Sequence, residues 1–267
     1  MAEVVPARFE LDHGARGAAP LLRCTALERP GVRHGFGTRL GAAPVTSSAG
    51  AEASASAERP QQQLGAVAAA VGVAADALFR VRQVHGARVV TVPAGGKACD
   101  LAVIEADALI TDRPGTAVAV STADCVPVLL ADARRGVVAA VHAGWRGLAG
   151  GVLEATLDRL VAGWGCQPEE LVVVAGPAIG REAYEVGEEV VAALGHLEGA
   201  WWRPSPDRRP HLDLRAAAGE LLRRRGVRQY TASTHCTRRD AALFYSYRRE
   251  GSATGRQLNV IGLVAQP

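Results

Sequence analysis

A thiol and two imidazoles, Cys125, His142 and His85, are the side chains of this 267-residue chain whose types and spacing point to chemistry. Cys125 and His142 lie in STADCVPVLLADARRGVVAAVHAGWRG, Ser121 to Gly147. That stretch reads as an apolar strand, a charged turn over Asp132 to Gly136, and a second apolar strand of small and branched residues that ends in His142. A hairpin brings its two far ends together. Cys125, opening the first strand, and His142, closing the second, are therefore expected side by side. His85 sits at a glycine bend in LFRVRQVHGARVVTV, where apolar and polar residues alternate on both sides. One thiolate and two imidazoles suit zinc, and three protein ligands leave a fourth position for water or substrate, the catalytic form of such a centre. Without a metal, the same pair makes Cys125 a nucleophile and His142 its base. Cys236 as a fourth ligand would close the site and make it structural. The plainest alternative is a buried core cysteine with two hydrogen-bonded histidines.

Positioning these groups requires sheet in the middle of the chain. Strands are predicted over Ala106 to Thr111, Thr116 to Ser121 and Val126 to Ala131, and the stretch around His85 reads as a strand, a tight bend and a returning strand. Gly144 and Gly147 leave the second hairpin strand without bulk, while Trp145 and Arg146 set a flat apolar face and a planar cation beside the pair. Gly147 to Trp164 is predicted as one helix, with Leu148, Val152, Leu153, Thr156, Leu157, Leu160 and Val161 on a single stripe. Upstream, strands are expected around Ala7 to Leu11 and near Leu21, and His34 to Gly41 resembles a strand leaving the core to present a cation. Residues 42–60, rich in Ala, Ser, Gly and Pro, read as a flexible loop ahead of a helix over Gln61 to Val71. Pro93 to Asp100 is a second loop. Downstream come a strand over Leu171 to Ala175, a GPAIG turn, and a helix over Glu185 to Leu194. A proline-rich connector over Trp201 to Pro210 precedes a helix over His211 to Arg225 with solvated arginines. Strands over Val227 to Thr234, Leu243 to Tyr247 and Arg256 to Val264 complete the pattern. GPAIG has neither GxGxxG spacing nor a Walker lysine, so it reads as a turn rather than a phosphate loop.

With 48% hydrophobic residues the chain can bury a full core, and a single catalytic domain over 1–267 is expected, with residues 1–30 at its periphery. The formal charge of +3 rests on 30 basic residues of which one, Lys97, is lysine. Those arginines are scattered instead of clustered with aromatics, which argues against a nucleic-acid partner. Five widely spaced cysteines are an odd number and argue against a disulfide framework. No stretch reaches signal-peptide or membrane-span character, so a cytoplasmic protein without a membrane partner is expected. A blue copper centre commonly has an axial Met, and the sole Met is Met1.

Several of these motifs together resemble a known family. QVHG at Gln83 to Gly86, ADALITD at Ala106 to Asp112, TADCVPVLLAD at Thr122 to Asp132, HAGWRG at His142 to Gly147, GPAIG with YEVG, HCT, and SYRR with TGRQ are similar to the YfiH, or laccase-domain, family. Its members carry names such as polyphenol oxidase and purine nucleoside phosphorylase. The resemblance runs from about His34 to the C-terminus. It implies an α+β fold, a layered α/β/β/α sandwich with mixed sheets like that of the cytotoxic necrotising factor catalytic domain. It also implies zinc, with copper as the other candidate, on His85, Cys125 and His142. The implied activities are phosphorolysis of adenosine, inosine and methylthioadenosine and deamination of adenosine, with purine nucleosides and phosphate as the small-molecule partners of a monomer or small homo-oligomer. The family usually follows HGFGTR with a GG-V-S stretch, from which Leu40 to Pro60 departs.

Phosphorolysis requires an anion pocket, and arginine forks bind two phosphate oxygens at once. Arg39 and Arg248 are the first candidates, followed by Arg146 and Arg256. Cys125 and Asp124 are the candidate catalytic residues, Asp124 either as a proton carrier or as the partner that orients a histidine.

Overall fold

Strands that are apolar on both faces persist only where both faces are covered. The computed structural model, which describes residues 7–15, 17–40 and 53–264, supplies that cover with two sheets and with helices outside each. In chain order the elements are β1 (Phe9–Asp12), β2 (Leu21–Cys24), β3 (Val32–Gly37), α1 (Ala53–Ala70), β4 (Leu78–Phe79), β5 (Val89–Thr91), α2 (Ala98–Ala102), β6 (Ala108–Thr111), β7 (Thr116–Thr122), β8 (Val126–Asp132) and β9 (Val137–Ala143). Then follow α3 (Trp145–Ala149), α4 (Val152–Trp164), β10 (Val172–Ala175), α5 (Glu188–Leu194), β11 (Trp201–Trp202), β12 (His211–Leu212), α6 (Leu214–Arg224), β13 (Gln229–Ala232), α7 (Tyr247–Glu250) and β14 (Gln257–Leu263). One sheet runs β1-β2-β3-β14-β7-β4 and the other β13-β10-β8-β9-β6-β5, with β11-β12 as a separate ribbon. Both six-stranded sheets are mixed, the parallel pairs being β4 with β7, β5 with β6 and β10 with β13.

Side-chain parity sorts the core into layers. From β7, Val118 and Val120 meet Leu109, Leu129, Val138, Ala140 and Val174 between the sheets. Ala117 and Ala119 face the other way, onto Val67 and Ala68 of α1. From β8 and β9, Val128, Leu130, Ala139 and Val141 pack on Val152, Leu153, Leu157 and Leu160 of α4 and on Ala217 and Leu221 of α6. Each fully buried leucine here stabilises by about 1.5–3 kcal/mol relative to exposure. The result is the mixed-sheet α/β/β/α sandwich that the resemblance implied.

Several local expectations are corrected. The strand, bend and return around His85 is not a hairpin: β4 joins β7 in the first sheet and β5 joins β6 in the second, so the bend crosses from one sheet to the other. Strands of two and three residues hold little of each other, and each takes a parallel partner already in place. The helix expected over Gly147 to Trp164 is two, α3 and α4, because Gly151 takes φ +83, a left-handed conformation glycine adopts without steric cost. Leu243 to Tyr247 is no strand. Leu243 and Phe244 turn back on the Asp240 carbonyl, and the Ser246 side chain accepts from Arg249 N–H to cap α7. Not all arginines of the 211–225 helix are solvated, since Arg215 donates to the carbonyls of Ser233 and His235.

Of the loop expected over 42–60, residues 42–52 lie outside the described residues, and from Ala53 the chain is already in α1, consistent with the helix propensity of its alanines. The loop expected over Pro93 to Asp100 turns helical at Ala98, and Trp201–Trp202 within the expected connector forms β11. At the periphery, β1 is an edge strand, while Leu22 and Cys24 of β2 reach the core between the sheets. No described helix is long and apolar enough to cross a membrane.

Candidate metal centre

The β8–β9 register pairs Val126 with Ala143 and Pro127 with His142, which sets Cys125 just before β8 beside the end of β9. The β6–β9 register pairs Ala108 with Val141, and one step further the His142 N–H donates to the Asp107 carbonyl at 2.8 Å. Asp107 shares the parity of Leu109, and His142 that of Val138 and Ala140, so both belong to the inter-sheet side at one end of that layer. The crossing from β4 to β5 carries His85 to the same end. The ligating atoms of His85, Cys125 and His142 all lie within 4.8 Å of one another. His85 Nε2 is 3.9 Å from Cys125 Sγ, and the two imidazole rings meet edge-on at 4.7 Å.

One buried carboxylate positions both histidines. His142 Nδ1 donates to Asp107 Oδ1 at 2.8 Å, which leaves the lone pair of Nε2 for the cluster. The same carboxylate accepts the backbone N–H groups of Val84 at 3.2 Å, His85 at 2.9 Å and Gly86 at 2.7 Å. Three successive N–H groups around one anion form a nest, and His85 takes φ +60 to complete it. Burial pushes the Asp107 carboxyl up, but hydrogen bonds from His142 and from the Gly86 and Val84 N–H groups hold it below the ordinary range. Burial likewise opposes ionisation of Cys125, and hydrogen bonds from His142 and His85 outweigh it and bring the thiol well down. For His142 burial lowers basicity, while bonds to Asp107 and Cys125 raise it above the usual range. Without metal, both shifts favour a thiolate beside an imidazolium.

This donor set fits one borderline or soft divalent ion. Among the described residues the group has three members. Cys236 is not one of them: its sulfur accepts from the Gly180 N–H at 3.1 Å. Gly144 makes room for the cluster, because a Cβ there would lie 2.9 Å from Cys125 Sγ and 3.1 Å from His85 Cδ2. Its φ of −77 suits alanine, so Gly144→Ala is expected to fold and to weaken metal retention by about tenfold through displaced ligands. Competition against a chromophoric chelator measures this, and unchanged affinity would show that the close approach is unimportant.

The other expected site residues fall around this cluster in two groups. Asp124, with φ +91, accepts Thr237 Oγ1–H and the Arg248 backbone N–H, both at 2.6 Å. Its two oxygens thereby fasten the 237–248 segment to the residue before Cys125, and the histidine-orienting part falls to Asp107. The Arg248 guanidinium stacks on Tyr184 at 5.1 Å and donates to the Glu185 carbonyl, and Arg146 stacks on Trp145 at 4.4 Å. Burial pushes the Tyr184 phenol up to about 12, with the Cys125 sulfur as the next cause. Arg39 lies further round, paired with Glu250 of α7 at 3.0 Å and stacked on Tyr245 at 4.9 Å. Arg256 is exposed and donates to the carbonyls of Thr254 and Gly255. Asp107 and Tyr184 are the residues that sequence reading passed over. Asp107 lay in view within ADALITD, but the β6–β9 register that brings it to His142 is not written in either strand.

Comparison with known proteins adds four findings. A family model described as multi-copper polyphenol oxidoreductase laccase matches residues 33–264. A Deinococcus radiodurans protein named purine nucleoside phosphorylase is 40% identical over 247 residues, 91% of this chain and 93% of that protein. A protein from an unknown prokaryotic organism, named adenosine deaminase, is 36% identical over 197 residues, 70% of this chain and 75% of that protein. Among solved structures, the Bacillus licheniformis hypothetical protein YfiH superposes with a TM-score of 0.83 at 29% identity, over 96% of this chain and 98% of that one.

Proposed function

We propose that this chain, which belongs to the multi-copper polyphenol oxidoreductase laccase family, is a zinc-dependent purine nucleoside phosphorylase acting on adenosine, inosine and methylthioadenosine, with adenosine deaminase activity as well. The observation that carries the reading is the three-ligand set of His85, Cys125 and His142, with Asp107 behind it and Arg248 held on Tyr184 beside it. Bound by those three residues, zinc would supply Lewis-acid chemistry.

The chain's own groups do the rest. In phosphorolysis a phosphate oxygen bonds to C1′ of the sugar, the C1′–N9 bond breaks, and the purine leaves with the electron pair and takes up a proton. Arg248, stacked on Tyr184 and anchored through its N–H to Asp124, is preorganised to hold phosphate oxygens. Arg146 is the second fork and Arg39 the third. Asp107 keeps the proton on His142 Nδ1, and Asp124 keeps the arginine segment in place against Cys125. Copper oxidation by a multi-copper cluster would ask for more donors than the one three-membered group found among the described residues.

The reading is tested by incubating purified protein with adenosine, with and without phosphate. Adenine and ribose 1-phosphate are expected only with phosphate, and inosine in both mixtures. Absence of all three products would refute it. The thiolate–imidazolium pairing favours one rival, a metal-free Cys–His hydrolase. In chelator-treated protein, Cys125 is expected to react with iodoacetamide at pH 7 near its plateau rate, whereas an ordinary thiol with pKa about 8.5 is mostly protonated there. Added zinc should slow that reaction and restore turnover, with peptide mapping separating Cys125 from the exposed Cys99. Turnover that survives chelation and dies on alkylation would favour the hydrolase.

A further inference from the structure

Arg248 also lines a polar cavity of about 270 Å³ whose two carboxylates, Glu185 and Glu189, have no role above. Trp145, Tyr184, Glu185, Glu189, Arg209 and Arg248 line it. Two of its lining residues are tied to the cluster: Trp145 follows Gly144, which approaches Cys125, and the Arg248 N–H is held by the carboxylate of Asp124, the residue before Cys125.

The lining discriminates among the parts of a nucleoside. A purine base asks for free aromatic faces, but Tyr184 and Trp145 each already carry a stacked arginine. A phosphate dianion held by Arg248 is kept from filling the rest of the cavity, where the Glu185 and Glu189 carboxylates oppose it. A neutral polyol satisfies every group: its hydroxyls donate to the carboxylates and accept from the guanidiniums. The Glu189 carboxylate is folded back over Gly187, where a Cβ would collide with its Oε2. Gly187 leaves room for that acceptor.

We propose that this cavity is the subsite for the ribose of the nucleoside, with Glu185 and Glu189 accepting hydrogen bonds from its 2′ and 3′ hydroxyls. The assignment rests on the phosphorylase reading.

The test compares kcat/KM for adenosine, 2′-deoxyadenosine and 3′-deoxyadenosine. The wild-type protein is expected to prefer adenosine by at least about tenfold, because a missing hydroxyl leaves a site acceptor unpaired. Glu185→Gln and Glu189→Gln are each expected to bring one deoxy analogue to within about threefold of adenosine, since an amide accepts less strongly. Gly187→Ala, which keeps Glu189 but moves its carboxylate, should shift the same ratio as Glu189→Gln. Circular dichroism and zinc content establish that each variant is folded and loaded. Ratios that ignore all three substitutions, or a wild-type protein indifferent to the hydroxyls, would overturn the subsite while leaving phosphorolysis standing. A zinc-loaded wild-type protein that cleaves no nucleoside would overturn both.

Discussion

Replacing Cys125 by serine is expected to strip the metal from the protein and to lower phosphate-dependent purine release by about 1,000-fold or more, equivalent to about 4 kcal/mol of barrier. The thiolate is the one anionic donor of the set, and the cluster holds it ionised through two imidazoles rather than through an arginine or lysine. A serine hydroxyl at the same place stays neutral near pH 7 and binds zinc poorly, so two histidines are left to hold the ion. Serine nearly matches the thiol in size, and Cys125 is only half-buried at a strand end, so the fold should hold. The melting temperature should match that of chelator-treated wild-type protein within a few degrees, which separates loss of metal from loss of fold. Metal analysis and the adenosine assay read the result together. A serine variant that keeps its metal and turns over within tenfold of wild type would remove Cys125 from the site.

The second large effect is expected at a residue that touches neither metal nor substrate. Asp107→Asn should weaken metal affinity or activity by about 10–100-fold. An amide oxygen in the place of Oδ2 can still accept from the Val84 and Gly86 N–H groups, but an amide N–H in the place of Oδ1 opposes the His85 N–H and, facing His142 Nδ1, forces the ring proton onto Nε2, towards the metal. Asp107→Ala goes further. It leaves three N–H groups and an imidazole without their acceptor in a buried place, where breaking a charged network costs about 3–5 kcal/mol. The asparagine variant should therefore fold and bind metal weakly, and the alanine variant should unfold at markedly lower temperature. Equal metal affinity in wild type and Asp107→Asn would mean that the carboxylate does not govern the tautomer of His142.

What the sequence made legible follows from what was local. β7, β8 and β9 are largely apolar on both faces and were readable as strands, because burial on both sides leaves no other use for such runs. The approach of Cys125 to His142 was readable because a short turn ties the two strands. Contacts set by sheet order were not. Asp107 meets His142 through the pairing of β6 with β9, strands separated by two others in sequence. The separation of β4 from β5 depends on partners in two different sheets, and alternation alone cannot tell that from a hairpin. At Gly151 a stripe of apolar residues continued across a break that one backbone angle imposes. Leu243 to Tyr247 was misread because a short apolar run before a serine looks alike as a strand end or as a helix cap.

The central claim, three protein ligands with one position left open, is tested most directly by X-ray absorption on zinc-loaded protein in solution. The account predicts one sulfur neighbour at about 2.3 Å, two imidazole nitrogens at about 2.0–2.1 Å and one further light atom. It also predicts that the light-atom shell changes when phosphate and adenosine are added. A second sulfur, or a third imidazole in the light-atom position, would contradict it.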